Sequence, residues 1–330
     1  FLYVKVSETA VPVPGEGSSC EHALTPRSWG HPLPFLRLPT AMQEHVVTTD
    51  HRTATFNRHH PPATAVEPDD IVTFETGDVA YERLHNGESV EDIGLETFNM
   101  VTGPVAVKGA EPGDALVIDI LDVKVRRAWS VWMPAFGGLG ERTDATRTRQ
   151  IDIDGNSLRI SDDLSVPLEP MIGCIGVAPA EGEGSTFQPS YPFGGNMDLR
   201  ELSPGATLRL PVEVDGGLLS VGDLHAAMGR AEPTWVALEA AGSARLHVDV
   251  EKGAGPPTPR IRVGNTTLCM GIGPTLEEAH QSALDQAYEL LMDEHGLSAF
   301  DAYAYASARV GMRFGGPCGP IVMAEVPDPA

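Results

Sequence analysis

The run LRLPVEVDGGLLSVGDLHAAMGRAE, residues 208–232, decides how this chain folds. In LRLPVEV, apolar and polar residues alternate with the period of two that marks a strand covered on one face. Gly216 and Gly217 supply a tight turn, and LLSVGDLHAA then resumes as a second strand-like run. Asp223 and His225 stand two residues apart, so an extended segment projects them to the same side, whereas a helix would splay them. Gly222 and the preceding Asp-Gly-Gly favour the extended reading. Glu232 follows a short Met-Gly-Arg-Ala turn that folds back toward this pair. Just upstream, GGNMD (194–198) puts Asn196 and Asp198 on a glycine-rich loop that lets backbone approach a ligand closely.

Working outward, most of the chain to residue 265 reads as short strands punctuated by turns. VEPDDIVTFETGD from 66, AEPGDALVIDILDV from 110 and LSPGATLRLPVEV from 202 each place a Pro-Asp or Pro-Gly turn before a strand. Two loops, 131–142 and 178–195, are rich in glycine and aromatic residues, and loops of this kind on a rigid scaffold are where sites form. The texture changes after Gly273. Thr275 and Glu278 form a capping box, Ala279, Ala283, Ala287, Leu290 and Leu291 mark one apolar face, and Gly296 ends the run. A second, shorter helix starts after Ser298, with Asp301 at its third position, and a final strand is expected over 320–326. These readings predict a mainly β (α+β) fold with sandwich- or barrel-like strands over 55–265 and a helical pair over 275–310. The pair packs on its own sheet or against another subunit. Residues 1–45, rich in Pro, Gly and Ser, read as an N-terminal extension to a catalytic domain spanning 46–330.

Composition narrows the function. Acidic residues outnumber basic ones 46 to 23, and the net charge of −23 opposes binding to nucleic acid or to an anionic membrane surface. A small neutral or cationic substrate fits that field. Cys20, Cys174, Cys269 and Cys318 form no CxxC or other metal-ligand spacing, which suits a reduced, cytoplasmic protein. No apolar run approaches the roughly 18 residues needed to span a bilayer. The first residues lack the charged start and apolar core of a signal peptide.

One imidazole with several carboxylates and an amide can bind Zn²⁺ or another divalent ion, or supply a general acid and base. The same residues admit a plainer reading, in which Asp198 and Asp223 cap turns and His225 is an ordinary core histidine. Competing chemistries are poorly represented: GxSxG, HExxH, Walker and GxGxxG motifs are absent. Lysine occurs only at 5, 108, 124 and 252, leaving few candidates for a Lys-dependent amidase, and Cys174 and Cys269 lie among apolar neighbours as packed thiols.

The ordered series VEPDDIVTFETGD, VKGAEPGDALVIDI, MIGCIGVAP, FGGNMDLREL, GDLHAAMGRAE and MGIGPTLEEAHQSALDQAYELL resembles the acetamidase/formamidase family over about residues 55–328. The resemblance implies hydrolysis of short aliphatic amides to a carboxylate and ammonia, with some relatives opening small lactams. It also implies a β-rich fold with a C-terminal helical portion and assembly as a homo-oligomer. Carried over residue by residue, it makes Asn196, Asp198, Asp223, His225 and Glu232 site residues, adds Asp78 from FETGD, and places Gly195 and Met228 at the substrate. Two positions depart from the family pattern Gly-Asp-x-His-x-x-Gln-Gly-x-Gly-Glu: Met228 stands for the Gln and Ala231 for the second Gly. Met228 makes the pocket more apolar and shifts the expectation from formamide toward a bulkier amide.

The mechanism expected on this basis has a divalent metal, Zn²⁺ by preference, held by Asp198, Asp223 and His225 with Asp78 nearby. Such an ion lowers the pKa of bound water toward ~7. Glu232 acts as base and then acid, and backbone N–H groups at Gly194–Gly195 hold the oxyanion. Asp198 and Glu232 are interchangeable as ligand and base. A lactam- or larger-amide hydrolase and a non-catalytic metal- or ligand-binding protein are the alternatives.

Overall fold

The computed structural model describes residues 42–188, 190–316 and 319–329. The extension up to residue 41, and with it Cys20, lies outside the described residues, as does Cys318. The remainder, from Met42, is one compact unit built mostly of strands with few helices, as the turn-strand pattern predicts.

At its centre is the strand Leu219–Ala227, which falls within the run 208–232. It pairs antiparallel with Met171–Gly176, with Val101–Val107 and with Leu238–Glu251. Leu238–Glu251 extends the sheet along Ala115–Trp132 and Asp70–Thr76. The three Pro-Asp and Pro-Gly turns do launch strands, namely Asp70–Thr76, Ala115–Trp132 and Ala206–Pro211. Their inward positions alternate with outward ones, so Leu208 and Leu210 join Leu116, Ile118 and Ile120 in a continuous apolar core. A core of this kind, with each Leu or Ile side chain contributing about 1.5–3 kcal/mol on burial, fixes the register of the central strand.

The C-terminal part forms its own layer. Thr266–Ile272 pairs antiparallel with Ile321–Pro327, and the helix Leu276–Asp293 lies on them. The capping box is present: the Thr275 side chain accepts from the Glu278 N–H while the Glu278 carboxylate accepts from the Thr275 N–H. Ala279, Ala283 and Ala287 allow the helix to come close, and Gly271 allows the strand to receive it. A Cβ on Gly271 would sit 2.1 Å from the Ala279 carbonyl oxygen. The second helix, Ala299–Arg309, starts at Ser298, whose hydroxyl accepts from the Asp301 N–H. The inner face of the long helix is thus covered by its own sheet. No helix among the described residues is long and apolar enough to cross a membrane.

Candidate active site

The central strand breaks its own pleat at Asp223, and the segments that carry Asp198 and Glu232 share the unusual backbone. Asp223 adopts φ +53° in mid-strand, and Asp198 and Glu232 adopt +47° and +38°. Left-handed backbone costs a non-glycine residue of order 1–3 kcal/mol and persists where surrounding structure fixes it. Three carboxylate residues share this conformation at one cavity.

Neighbouring elements supply the fixing. The Gly173 carbonyl accepts from the N–H groups of both Met197 (2.9 Å) and Asp198 (3.1 Å), which sets the loop that carries Asp198. Gly173 also forms the floor of the site, because a Cβ there would meet Asp223 Oδ2 at 2.5 Å and Asp198 Oδ1 at 2.8 Å. The Glu232 turn closes through its own N–H to the Gly229 carbonyl (3.0 Å). The Asp198 and Glu232 loops are tied by Arg230, which donates to Glu201 at 2.7 Å, and Arg313 from the strand Gly311–Phe314 reaches the same Glu201 oxygen at 3.3 Å. Gly315 and Gly316 pack beside Leu199 and the Met197 carbonyl, so the chain's last hairpin supports the Asp198 loop from behind.

His225 Nε2 lies 3.5 Å from Asp223 Oδ2, 3.5 Å from Glu239 Oε2 and 3.8 Å from Asp198 Oδ1. Asp198, His225, Glu232 and Glu239 are all buried. Asp198, Asp223 and His225 offer ligand atoms within 4.8 Å of one another, and so do His225, Glu232 and Glu239. Both Asp198 oxygens and His225 Nδ1 lack a hydrogen-bond partner among the described residues. Buried, unpartnered acceptors are costly unless something pairs with them. A hard or borderline divalent cation matches this oxygen-and-imidazole set, and the glycine floor leaves room beside it.

Electrostatics follow from that crowding. Burial, and then Asp223, push the Asp198 carboxyl well above the ordinary range. Burial and Asp198 raise Glu232 to about 10, and burial with Asp223 raises Glu239 to about 7. Burial works against a charged His225, but Glu239 and Asp223 outweigh it and hold the imidazole pKa well above its usual value. Burial likewise raises the Cys174 thiol, whose Sγ points to the Thr186 carbonyl; this is a packed thiol, as its apolar neighbours predict.

These groups line a cavity of about 50 Å³ together with Asn99, Asn196 and Tyr81. Asn99 Nδ2 donates to Asn196 Oδ1 and to Asp223 Oδ2, both at 3.2 Å. Phe136 packs edge-on against Trp235, with ring centroids 5.9 Å apart, and beside Phe187, so the two glycine- and aromatic-rich loops meet at the cavity's apolar wall.

A model of the Acetamidase/Formamidase family matches residues 42–183 and 180–262. The chain belongs to that family. It is similar to an acetamidase from Bacillus halodurans of known structure, at 32% identity and a TM-score of 0.78 over 85% of this chain and 95% of the other. A gamma lactamase from Delftia acidovorans shares 25% identity and a TM-score of 0.59 over 84% and 88% of the two chains. A formamidase from Methylophilus methylotrophus is 28% identical over 259 residues, which is 59% of this chain. The matched region spans 64% of the length of that relative.

Within this family member, the structure brings together Asn196, Asp198, Asp223, His225 and Glu232, and separates the other residues that the resemblance put at the site. Asp78 joins neither ligand cluster: its two oxygens accept from Arg127 and from Trp129 Nε1 (2.7 Å), and it serves the packing of that wall. Gly195 stands opposite Ile175 in the strand ladder, where φ +118° calls for glycine, and the Gly194 N–H donates to the Tyr191 carbonyl. The Gly194 N–H is therefore engaged and does not serve an oxyanion. Met228 lines a neighbouring cavity, not the acidic one. Sequence reasoning missed Glu239, Asn99, Tyr81 and Gly173. Glu239 had a signal, a lone acid in the strand run VALEAAGSARLHV, and it pairs in register with His225.

Proposed function

We propose that this chain hydrolyses small carboxamides, cleaving the C–N bond to release a carboxylate and ammonia. The carrying observation is the buried ring of Asp198, Asp223, Glu232 and Glu239 around His225, at the end of a cavity of about 50 Å³ in an acetamidase/formamidase-family chain. On this measure a water fills about 10–15 Å³, so the cavity takes about four heavy atoms, the size of acetamide.

The residues divide the work by their proton affinities. Asn196 Nδ2 has no protein acceptor among the described residues, since only its Oδ1 is engaged by Asn99, and it is free to donate to the substrate carbonyl. One well-placed donor of this type contributes about 3 kcal/mol to holding a developing oxyanion. Glu239, held at about 7, is suited to take a proton from the attacking water near neutral pH. Glu232, held at about 10, carries a proton at neutral pH and gives it to the nitrogen as the C–N bond breaks. Tyr81, which lines the cavity with Glu239, and the Ala237 N–H at 2.8 Å orient that carboxylate. Asp198, Asp223 and His225 are the residues that would hold a divalent cation, which when bound lowers the pKa of water and polarises a carbonyl.

Ammonia release from formamide, acetamide and a γ-lactam, before and after chelation and again with added Zn²⁺, tests this. Loss on chelation with recovery on adding Zn²⁺ supports the cation, while indifference to chelation leaves catalysis to the carboxylates alone. Glu232→Gln is expected to lower turnover by about 10²–10⁴-fold. Full turnover in that variant would remove the acid role, and no release from any amide would overturn the amidase reading.

A further inference from the structure

Beside the acidic cavity lies a second, larger one of about 450 Å³. The two share Val131, Met133, Phe136, Glu232 and Val236 as walls. Beyond those shared residues the larger cavity is lined by Trp132, Leu139, Ala227, Met228, Pro233 and Leu238, with Ser130 and Thr234 its only other polar side chains. Among the described residues, no lysine or arginine lines it. Trp132 and Leu139 expose 39% and 51% of their surface at this place, an unusual cost for two large apolar side chains unless something apolar covers them.

We propose that this second cavity is an acyl-binding chamber, and that the preferred substrates are primary carboxamides carrying an uncharged, apolar acyl group larger than acetyl. The inference rests on the amide-hydrolysing reading of the acidic cavity and extends it to the substrate class. The orientation follows from donor and acceptor counting. A primary amide nitrogen brings two N–H donors, and the acidic cavity is rich in carboxylate acceptors at Asp198, Asp223, Glu232 and Glu239. The –NH₂ end is therefore best satisfied inside that cavity, which has room for little beyond the amide itself. Any longer acyl chain must leave it, and the shared wall of Val131, Met133, Phe136 and Val236 offers an apolar route. The absence of a cationic side chain disfavours acyl groups that end in a carboxylate. Burial of three or four added methylenes is enough to change preference by about one to two orders of magnitude.

The test is the ratio of kcat/KM for hexanamide to that for acetamide, measured on the full chain and on Leu139→Asp and Thr234→Trp. Both substituted residues line the larger cavity alone and are exposed, so the fold should survive either change. The expected ratio in the unmodified protein is at least 10, falling at least tenfold when a charge is placed at the cavity or a large ring fills it. A ratio of 1 or below, or one that neither substitution moves, overturns the chamber while acetamide turnover leaves the amidase reading in place. If no amide is turned over, the amidase reading fails, and hexanamide binding followed by calorimetry decides the chamber separately. Binding weakened by Leu139→Asp upholds it, and no binding, or binding indifferent to that substitution, overturns it.

Discussion

The acidic cavity and the C-terminal layer solve opposite problems with the same chain. In the layer formed by Leu276–Asp293 on Thr266–Ile272 and Ile321–Pro327, local preference and tertiary packing agree: a capped amphipathic helix sets its alanine stripe on a strand that has glycine where the two approach. In the acidic cavity they conflict. Carboxylates are buried beside one another, neither Asp198 oxygen has a hydrogen-bond partner among the described residues, and Asp198, Asp223 and Glu232 hold left-handed backbone without being glycine. Agreement across levels marks a region selected for stability, and conflict at one spot within an otherwise consistent fold marks a region selected for chemistry.

The largest effect expected from this contrast is at Asp198. Asp198→Asn should lower amide turnover by about 10³-fold, equivalent to ~4 kcal/mol, yet raise the thermal stability of the metal-free protein by removing a buried charge from a like-charged cluster. The pH dependence gives the sign. Asp198, Glu232, Glu239 and His225 all have folded pKa values raised above their ordinary ones, so the native state binds more protons than the unfolded state. Stability of the metal-free protein is therefore greatest at mildly acidic pH. It falls as pH rises from about 4.5, the usual carboxylate value, through about 7 and on toward about 10. Urea unfolding in chelator at pH 5.5 and 8.5 should show this slope, shallower in Asp198→Asn. An unstable Asp198→Asn with the full slope would break the comparison.

Gly271→Ala carries the next largest effect and none of it should be catalytic. Its Cβ would overlap the backbone of Ala279 and Ala283, and overpacking of this kind costs about 1–3 kcal/mol. A lower melting temperature with unchanged kcat on the folded fraction is the expected result. The smallest effect is Thr275→Ala, which removes one half of the capping box and should cost about 1 kcal/mol in denaturant unfolding, again without touching turnover.

The same contrast explains what could be read ahead of the structure. The capping box, the alanine face and the turn-strand units were legible because each is a local pattern with a local cause. Asp223 and His225 were legible as a same-side pair because they share a strand. Glu239 was harder to find, since its place opposite His225 depends on how two strands register. Tyr81 and Asn99 come from a helix and a loop far upstream of the Asp198 and Glu232 segments, and nothing near them in sequence points to the cavity. Gly173 carried a faint signal, a glycine inside an apolar strand run, which often marks a close approach. Asp78, Gly195 and Met228 fall outside the acidic cavity for a related reason: motif order gives neighbourhood, whereas local backbone and side-chain direction decide which cavity a residue lines.

Arg313 and the Gly315–Gly316 corner, which brace the Asp198 loop, lie beyond the residues 42–262 that the family model spans. During synthesis the chain's N-terminal end emerges first, so every carboxylate of the cavity has been translated well before its brace. Until the last hairpin arrives, Glu201 has only Arg230 to hold it, and the Asp198 loop lacks its backing. Competence thereby waits on residues 311–316, and a nascent chain stalled before residue 311 would display the acids without the frame that makes them a site.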